Sequence, residues 1–302
     1  MKGFALLLGL LLAAPALAGQ DYRNCGETWH LAKKVPERIL ALNQHAADLL
    51  LELGAGERLA GVAYLDDPGP QLQGDRYRGV PVVSARYPST ELLYALRPDL
   101  VVGGFATAFD PGRGRAELAA AGIASYLLEA ACAQRTGDGF GNVRDDLRTL
   151  GRLLGVEARA QALIDAQQAD LRAAAARADG RAPLRVFYLD SSDAGLASQG
   201  GRGFVSELLR AAGARNLFEA VALRGYLASP ETLLAGDPDV ILLADARWLP
   251  AAEKVRYLRA HPLLSRLRAV REGRFVTLPF SQLVPGVESG RAARDLAVAL
   301  YP

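Results

Sequence analysis

Short, nearly continuous apolar runs alternate with stretches of helical periodicity along most of the chain. The runs at 38–42 (RILAL), 59–64 (LAGVAY), 81–84 (PVVS) and 99–104 (DLVVGG) read as strands of a first series. Helices are expected between them, starting near Asn43 and Thr90. After the polar stretch ADGRAP a second series follows at 184–190 (LRVFYLD), 239–245 (DVILLAD) and 274–279 (RFVTLP), with helices near GFVSELLRAAG and SPETLLAG. Runs without a polar alternate belong to strands covered on both faces, and their alternation with helices predicts parallel sheets with helical crossovers.

One pattern occurs once in each series. STELLYALRPDLVV begins at Ser89 and SPETLLAGDPDVILL at Ser229, so that Ser89, Glu91, Pro98 and Asp99 fall in register with Ser229, Glu231, Pro238 and Asp239. In both copies Ser is a candidate N-cap, and Glu stands in the first turn, where the helix dipole favours a carboxylate. Pro then ends the helix, and the Pro-Asp turn feeds the next strand. The same helix–turn–strand unit therefore stands in each of two similarly built lobes.

Between the series, Glu157 to Ala178 is rich in Ala, Leu, Arg, Gln and Glu, with Leu163, Ile164, Ala166, Leu171 and Ala174 on a helical face. Those 22 residues make about 33 Å of helix at 1.5 Å per residue, enough for one helix to join two lobes. The expected organisation is a signal peptide at 1–18, an N-terminal α/β lobe at 19–156, a linking backbone helix at 157–179 and a C-terminal α/β lobe at 180–302.

Composition narrows the setting. MKGFALLLGLLLAAPALAGQ has a basic residue, an apolar run too short to span a membrane and an Ala16-Leu17-Ala18 cleavage site, the layout of a secretory signal. No Cys sits at that point, which argues against lipid anchoring. Removing residues 1–18 takes away Lys2 alone, so 35 Lys and Arg become 34 against 33 Asp and Glu. This balance gives no reason to invoke nucleic acid. Beyond the signal no apolar run approaches membrane length, so a monomeric protein of the periplasm is expected, meeting a membrane only through a partner. Export also favours a Cys25–Cys132 disulfide, these being the two cysteines of the chain, over two free buried thiols.

Catalytic signatures are absent: no Gly-x-Ser-x-Gly, no phosphate loop ending in Gly-Lys-Ser or Gly-Lys-Thr, no Cys-x-x-Cys and no His-Glu-x-x-His. His30, His45 and His261 are scattered, so neither a directly coordinated metal nor a resident cofactor is expected. The Gly-rich SQGGRGF segment follows a strand and opens a helix, yet lacks the spacing of a dinucleotide fingerprint.

In open α/β sheets ligands bind outside the carboxyl ends of the strands. Those loops supply Asn43, Gln44, His45, Tyr64, Asp66, Arg86, Tyr87 and Phe105, with Phe109, from the first lobe. The second supplies Ser198, Gln199, Arg202, Tyr226, Arg247, Trp248, Phe280 and Gln282, with Ser191. Aromatic and Arg side chains recur among them, a set suited to a bulky ligand carrying negative charge.

On the segments from Asn24 to Asp67, YPSTELLYALRPDLVVGG and SPETLLAGDPDVILL, the chain resembles the substrate-binding proteins of ABC importers for ferric siderophores, haem or cobalamin. The resemblance covers essentially the whole mature chain. It implies two Rossmann-like lobes with parallel sheets, joined by one backbone helix, with a ligand cleft between them and little closure on binding. It also implies a non-catalytic carrier that docks on an importer permease through a Glu of each lobe, here Glu91 and Glu231. Within that family Arg86, Arg202 and Arg247 favour an anionic ferric siderophore, a metal chelate carried as cargo. A haem carrier would need an axial ligand among Tyr64, Tyr87, Tyr226 and His45, and cobalamin stays open through Trp248 and Phe105. Two further classes are an enzyme acting on a phosphorylated ligand at SQGGRGF, which would return its ligand changed, and a sensor docking without a small ligand.

Overall fold

The computed structural model describes residues 19–67, 75–134, 138–193 and 195–302; the expected signal peptide lies outside them. The described residues open with an antiparallel hairpin, β1 (Gln20–Asn24) and β2 (Glu27–Leu31). Cys25 and Gly26 form its turn at φ 54° and 82°, the left-handed region that tight two-residue hairpin turns require. This hairpin, which the apolar pattern does not announce, is tied to the first sheet. Tyr22 donates to the Ser125 carbonyl at 2.6 Å, Asn24 donates to the Leu127 carbonyl at 2.8 Å, and Cys25 is bonded to Cys132.

The first sheet is wholly parallel and contains β3 (Ile39–Leu42), β4 (Leu59–Ala63), β5 (Val82–Ser84), β6 (Leu100–Gly103) and β7 (Ala124–Leu127). Its spatial order is β5-β4-β3-β6-β7. The order reverses between β3 and β6, and a crevice opens at the carboxyl ends of two neighbouring strands whose connections leave in opposite directions. Helices α1 (Gln44–Glu52), α2 (Thr90–Ala95), α3 (Arg115–Ala120) and α4 (Gly139–Leu154) belong to this half.

Helix α5 (Glu157–Ala178) then places Ala160 and Ile164 in the first core and Ala174 in the second, so one helix is shared by both. The second parallel sheet runs β10-β8-β12-β13, from β8 (Arg185–Leu189), β10 (Arg215–Asn216), β12 (Val240–Asp245) and β13 (Phe275–Pro279). Its order reverses between β8 and β12. A short antiparallel pair, β9 (Leu196–Gln199) and β11 (Gly225–Ala228), sits beside it. Helices α6 (Phe204–Ala211), α7 (Pro230–Gly236), α8 (Ala251–Ala260), α9 (Arg268–Arg271) and α10 (Ser289–Leu300) complete the chain.

Helix α10 lies along α5, and Gly290 permits the approach, because a Cβ there would fall on the backbone of Gln167. Arg294 pairs with Asp170 and Arg177 donates to the Tyr301 carbonyl along the same interface. Both sheets carry apolar side chains on both faces, with separate core clusters on each side. This accounts for the unbroken apolar runs in the sequence.

The repeated pattern builds the same joint twice. Ser89 accepts from the Leu92 N–H and Ser229 from the Thr232 N–H, each capping its helix. Arg97 and Asp237 both take positive φ where the helix ends, at 46° and 36°. The Asp99 carboxylate accepts from the Arg38 N–H and the Asp239 carboxylate from the Arg185 N–H, at the entries to β3 and β8. Each of those arginines returns its guanidinium to carbonyls at the end of the repeated helix, Leu96 and Arg97 in one lobe, Gly236 and Asp237 in the other.

Candidate functional site

The carboxyl ends of the two parallel sheets border a cavity of about 440 Å³ lined by residues from both halves of the chain. From the first come His45, Gly104 and Phe105, at the crevice between β3 and β6. Asn43, which ends β3 at φ 85°, fixes this corner by accepting from the N–H groups of Gly104 and Phe105, both at 3.2 Å. His45 packs its ring against Phe105 in a tilted arrangement, at 4.6 Å between centroids. A Cβ at Gly104 would strike the His45 ring, so glycine is what lets the imidazole lie against the strand end. Burial pulls the His45 pKa down to about 4, against the effect of its hydrogen bond to the Gly104 backbone, so the ring is neutral at pH 7. Its Nδ1 is buried without a partner.

The facing wall is built by Asp190 at the end of β8, Ser198 and Gln199 on β9, then Arg202, Phe204 and Glu207. Gln199 is locked by accepting from the Val205 N–H, which fixes the Gly-rich turn into α6. The Ser198 hydroxyl is buried without a partner. The Asp190 carboxyl accepts from Tyr188 at 3.0 Å, and burial pushes its pKa up. Across the cavity Glu207 accepts from the Gly139 N–H at 2.7 Å, Arg224 donates to the Ala130 carbonyl, and the Phe140 and Phe204 rings meet at 5.3 Å.

Of the residues expected at the site, His45, Phe105, Ser198, Gln199 and Arg202 line this cavity. The rest lie outside its lining, and their partners explain why. Tyr64 packs edge-on against Tyr87 at 4.8 Å, and Tyr87 is held by Asn43 and Thr107. Gln44 accepts from the Asp66 and Asp67 N–H groups and donates to Asp67. Arg86 is exposed, and its N–H is directed to Ser84. Tyr226 packs on Phe218. Trp248, 46 % exposed, packs on Phe280, and Gln282 donates to Glu288. The Arg247 N–H donates to the Asp66 carbonyl.

These last residues belong to a seam between the lobes. Asp67 accepts from the Ser281 N–H at 3.2 Å and hydroxyl at 2.6 Å, and Arg76 bridges Asp48, Glu52 and Glu288 at 3.4, 2.8 and 2.7 Å. Burial, aided by neighbouring carboxylates, pushes the Asp66 pKa up to about 7, and burial lifts Asp48 to about 6. The cavity residues missed from sequence include Asn142, Asp190, Glu207 and Arg224. Asp190 alone had a signal, as the polar residue closing the run LRVFYLD.

A family model described as periplasmic binding protein matches residues 39–282. The chain belongs to that family. Like other substrate-binding proteins of ABC transporters, such a periplasmic binding protein takes up a small-molecule ligand and works with a membrane permease. Its relatives include an uncharacterized ABC transporter substrate-binding lipoprotein, YvrC, of Bacillus subtilis (strain 168). That protein is 25 % identical over 281 residues, which cover 89 % of this chain and 82 % of the relative. Among solved structures, one from an ABC-type Fe3+-hydroxamate transport system of Saccharomonospora viridis has a TM-score of 0.79 at 22 % identity, covering 94 % of this chain and 99 % of that one. The periplasmic heme-binding protein RhuT of Roseiflexus sp. RS-1, in apo form, has a TM-score of 0.72 at 27 % identity, covering 88 % and 98 %. Among the described residues no helix is long and apolar enough to cross a membrane.

Proposed function

We propose that this periplasmic binding protein captures a ferric siderophore and hands it to an ABC importer, acting in the periplasm as a carrier and not as an enzyme. The observation that carries the reading is the cavity shared by the carboxyl ends of both sheets. Its lining mixes Phe105 and Phe204 with Asn142, Ser198, Gln199 and Arg202, which suits an oxygen-rich chelate with an apolar body. The Fe3+-hydroxamate system with the same fold is consistent with it. Fluorescence-quench titration against a panel of ferric siderophores, haemin and cyanocobalamin tests it. Stoichiometric binding of a ferric siderophore, recovered chemically unchanged, is expected, and Arg202→Ala should weaken it by about 10- to 100-fold if its guanidinium bonds the chelate. Binding of none of the ferric siderophores would reject the reading.

One observation favours haem as the second reading. Of the residues considered as axial ligands, His45 alone lines the cavity, neutral and with its Nδ1 unpartnered. Haem binding by this route predicts a shifted Soret band on adding haemin that His45→Ala abolishes.

Delivery is assigned to Glu91 and Glu231. Both are exposed in the first turns of the matching helices α2 and α7. Charge reversal at both positions should leave ligand affinity intact and abolish importer-dependent uptake, because it sets like charges face to face across a docking interface. Normal uptake by the double Arg variant would reject the assignment.

A further inference from the structure

One wall of the cavity is a connection between elements. Between β7 and α4 it contributes Leu128, Ala130 and Ala131, and the first turn of α4 follows with Gly139 and Asn142. The same stretch makes both bonds of one seam between the lobes. The Ala130 carbonyl accepts from Arg224 at 3.3 Å, and the Gly139 N–H donates to Glu207 at 2.7 Å. Whatever fixes this connection to its own lobe therefore sets one side of the ligand site.

Its first residues are tied to the sheet and to α4. The Leu128 N–H donates to the Gly103 carbonyl and the Glu129 N–H to Asp146, each at 2.9 Å, and Asn24 donates to the Leu127 carbonyl and the Glu129 carboxylate. Past Glu129 the backbone bonds of the described residues close the turn on itself, Ala131 on Leu128 and Cys132 on Glu129. The next tie is covalent, from buried Cys132 to Cys25 in the turn of the β1–β2 hairpin. Tyr22 fastens that hairpin to both the carbonyl and the N–H of Ser125, so it is a firm anchor. Among the described residues neither hairpin strand lines the cavity. Half-buried Cys25 instead borders a separate groove of about 540 Å³ with Arg23, Arg148 and Thr149, so the bond can be reached from that side.

We propose that the Cys25–Cys132 bond is a positioning element of the ligand site. It holds the 128–132 wall against the second lobe, so that ligand affinity follows the redox state of the bond; the affinity half of the inference rests on the carrier reading above. Released from the hairpin, the wall samples arrangements in which Ala130 and Ala131 no longer close the cavity, and affinity falls by the fraction of molecules that keep the competent one. A bond that acted only by restricting the unfolded chain would lower stability and leave affinity unchanged. A dithiol opens it by attack of one thiolate on the Cys25 sulfur. Cys132 leaves with the bonding electrons and takes a proton, and the second thiol then closes the reagent to its own disulfide and frees Cys25 as a thiol.

Two measurements test this, one of them without ligand. Hydrogen exchange of residues 128–134 should quicken at least about tenfold in the Cys25→Ala/Cys132→Ala variant and in folded wild type reduced with dithiothreitol, with thiol labelling confirming two free thiols. Affinity for the ferric complex of a linear trihydroxamate should fall at least about fivefold in the same two samples, the reduced one desalted free of reagent. The reduced sample keeps the test open if the double variant does not fold. Asp239→Ala, which loosens the second lobe away from this wall, should keep wild-type exchange at 128–134 and wild-type affinity. Unchanged exchange in the bond-free samples, or unchanged affinity in them where the wild type binds, would overturn the inference. Failure of the wild type to bind the complex would count against the hydroxamate carrier reading, and the exchange rates would still decide whether the bond positions the wall.

Discussion

Asp66 sits in a setting at odds with its charge. It is 2 % exposed, its Oδ2 has no partner, and Asp67 and Asp48 add repulsion, so its pKa rises from 3.8 to about 7. A carboxyl raised in this way binds more protons folded than unfolded between those two values, so stability falls as pH rises through that window. His45 acts oppositely. Its folded pKa of about 4 lies below the ordinary 6.5, so stability rises with pH between them. The wild-type profile therefore blends two slopes, and the informative quantity is the difference between wild type and Asp66→Asn. That variant should gain little at pH 4.5 and gain stability steadily toward pH 7.5, at a rate approaching about 1.4 kcal/mol for each tenfold fall in proton concentration. Denaturant melts at both pH values check this, and a constant difference would show that Asp66 stays ionised. At this scale the sequence marks which loops reach the cavity and not which side chains do. Tyr64, Tyr87 and Gln44 stand at the right strand ends, but each is drawn into ring contacts or hydrogen bonds within its own lobe. Asn142 and Arg224 arrive from a helix and a turn that no strand-end rule marks.

At the scale of elements, the duplicated joint carries its own energetics. Asp239 accepts from the Arg185 N–H at 2.8 Å and pairs with Arg268 at 2.7 Å, so from the entry to β12 it ties the start of β8 to α9. Asp239→Ala is expected to cost about 1–3 kcal/mol by orphaning the Arg185 N–H and the Arg268 guanidinium. Ser229→Ala should cost about 0.5–2 kcal/mol through the lost cap. Urea midpoints resolve both, and an Asp239→Ala variant no less stable than Ser229→Ala would show the strand link to be incidental. The cap, the helix end and the carboxylate of this joint were written in the chain as Ser, Pro and Asp at fixed spacing, whereas the arginines that answer them, Arg38, Arg185 and Arg268, were not marked by it. The parallel strands and the helix Glu157–Ala178 were legible for a similar reason, since local pattern and tertiary environment agree there. The hairpin β1–β2 and the pair β9–β11 were not. Their residues alternate weakly, and what holds them is distant in sequence: Tyr22 and Asn24 on the first sheet, and β11 for β9.

On the scale of the whole molecule, two seams and one shared helix fix the lobes against each other. One seam, Glu207 to Gly139 and Arg224 to Ala130, is made by residues that also line the cavity. The other, Arg76 to Glu288 and Asp67 to Ser281, stands outside the lining. Within the first lobe the Cys25–Cys132 bond closes a separation of 107 residues, and reducing it should cost about 2–4 kcal/mol, read as a lowered denaturant midpoint in dithiothreitol. Arg76 makes the sharper case. Its guanidinium, 27 % exposed, is the cation shared by Asp48, Glu52 and Glu288, and without it three carboxylates would face one another across the lobes. Asp48 titrates near 6 even with Arg76 pulling its pKa down, so loss of the cation should raise it further. Arg76→Ala is therefore expected to destabilise the fold by about 1–3 kcal/mol at pH 7.5 and by less at pH 5, where protonation relieves the repulsion. Because the pairing crosses the lobes but not the cavity, ligand dissociation should quicken in this variant while the residues touching the ligand are unchanged. Equal stability of Arg76→Ala and wild type at pH 7.5 would reduce the cluster to solvated surface pairs and leave α5 and the Glu207 seam as what holds the cleft.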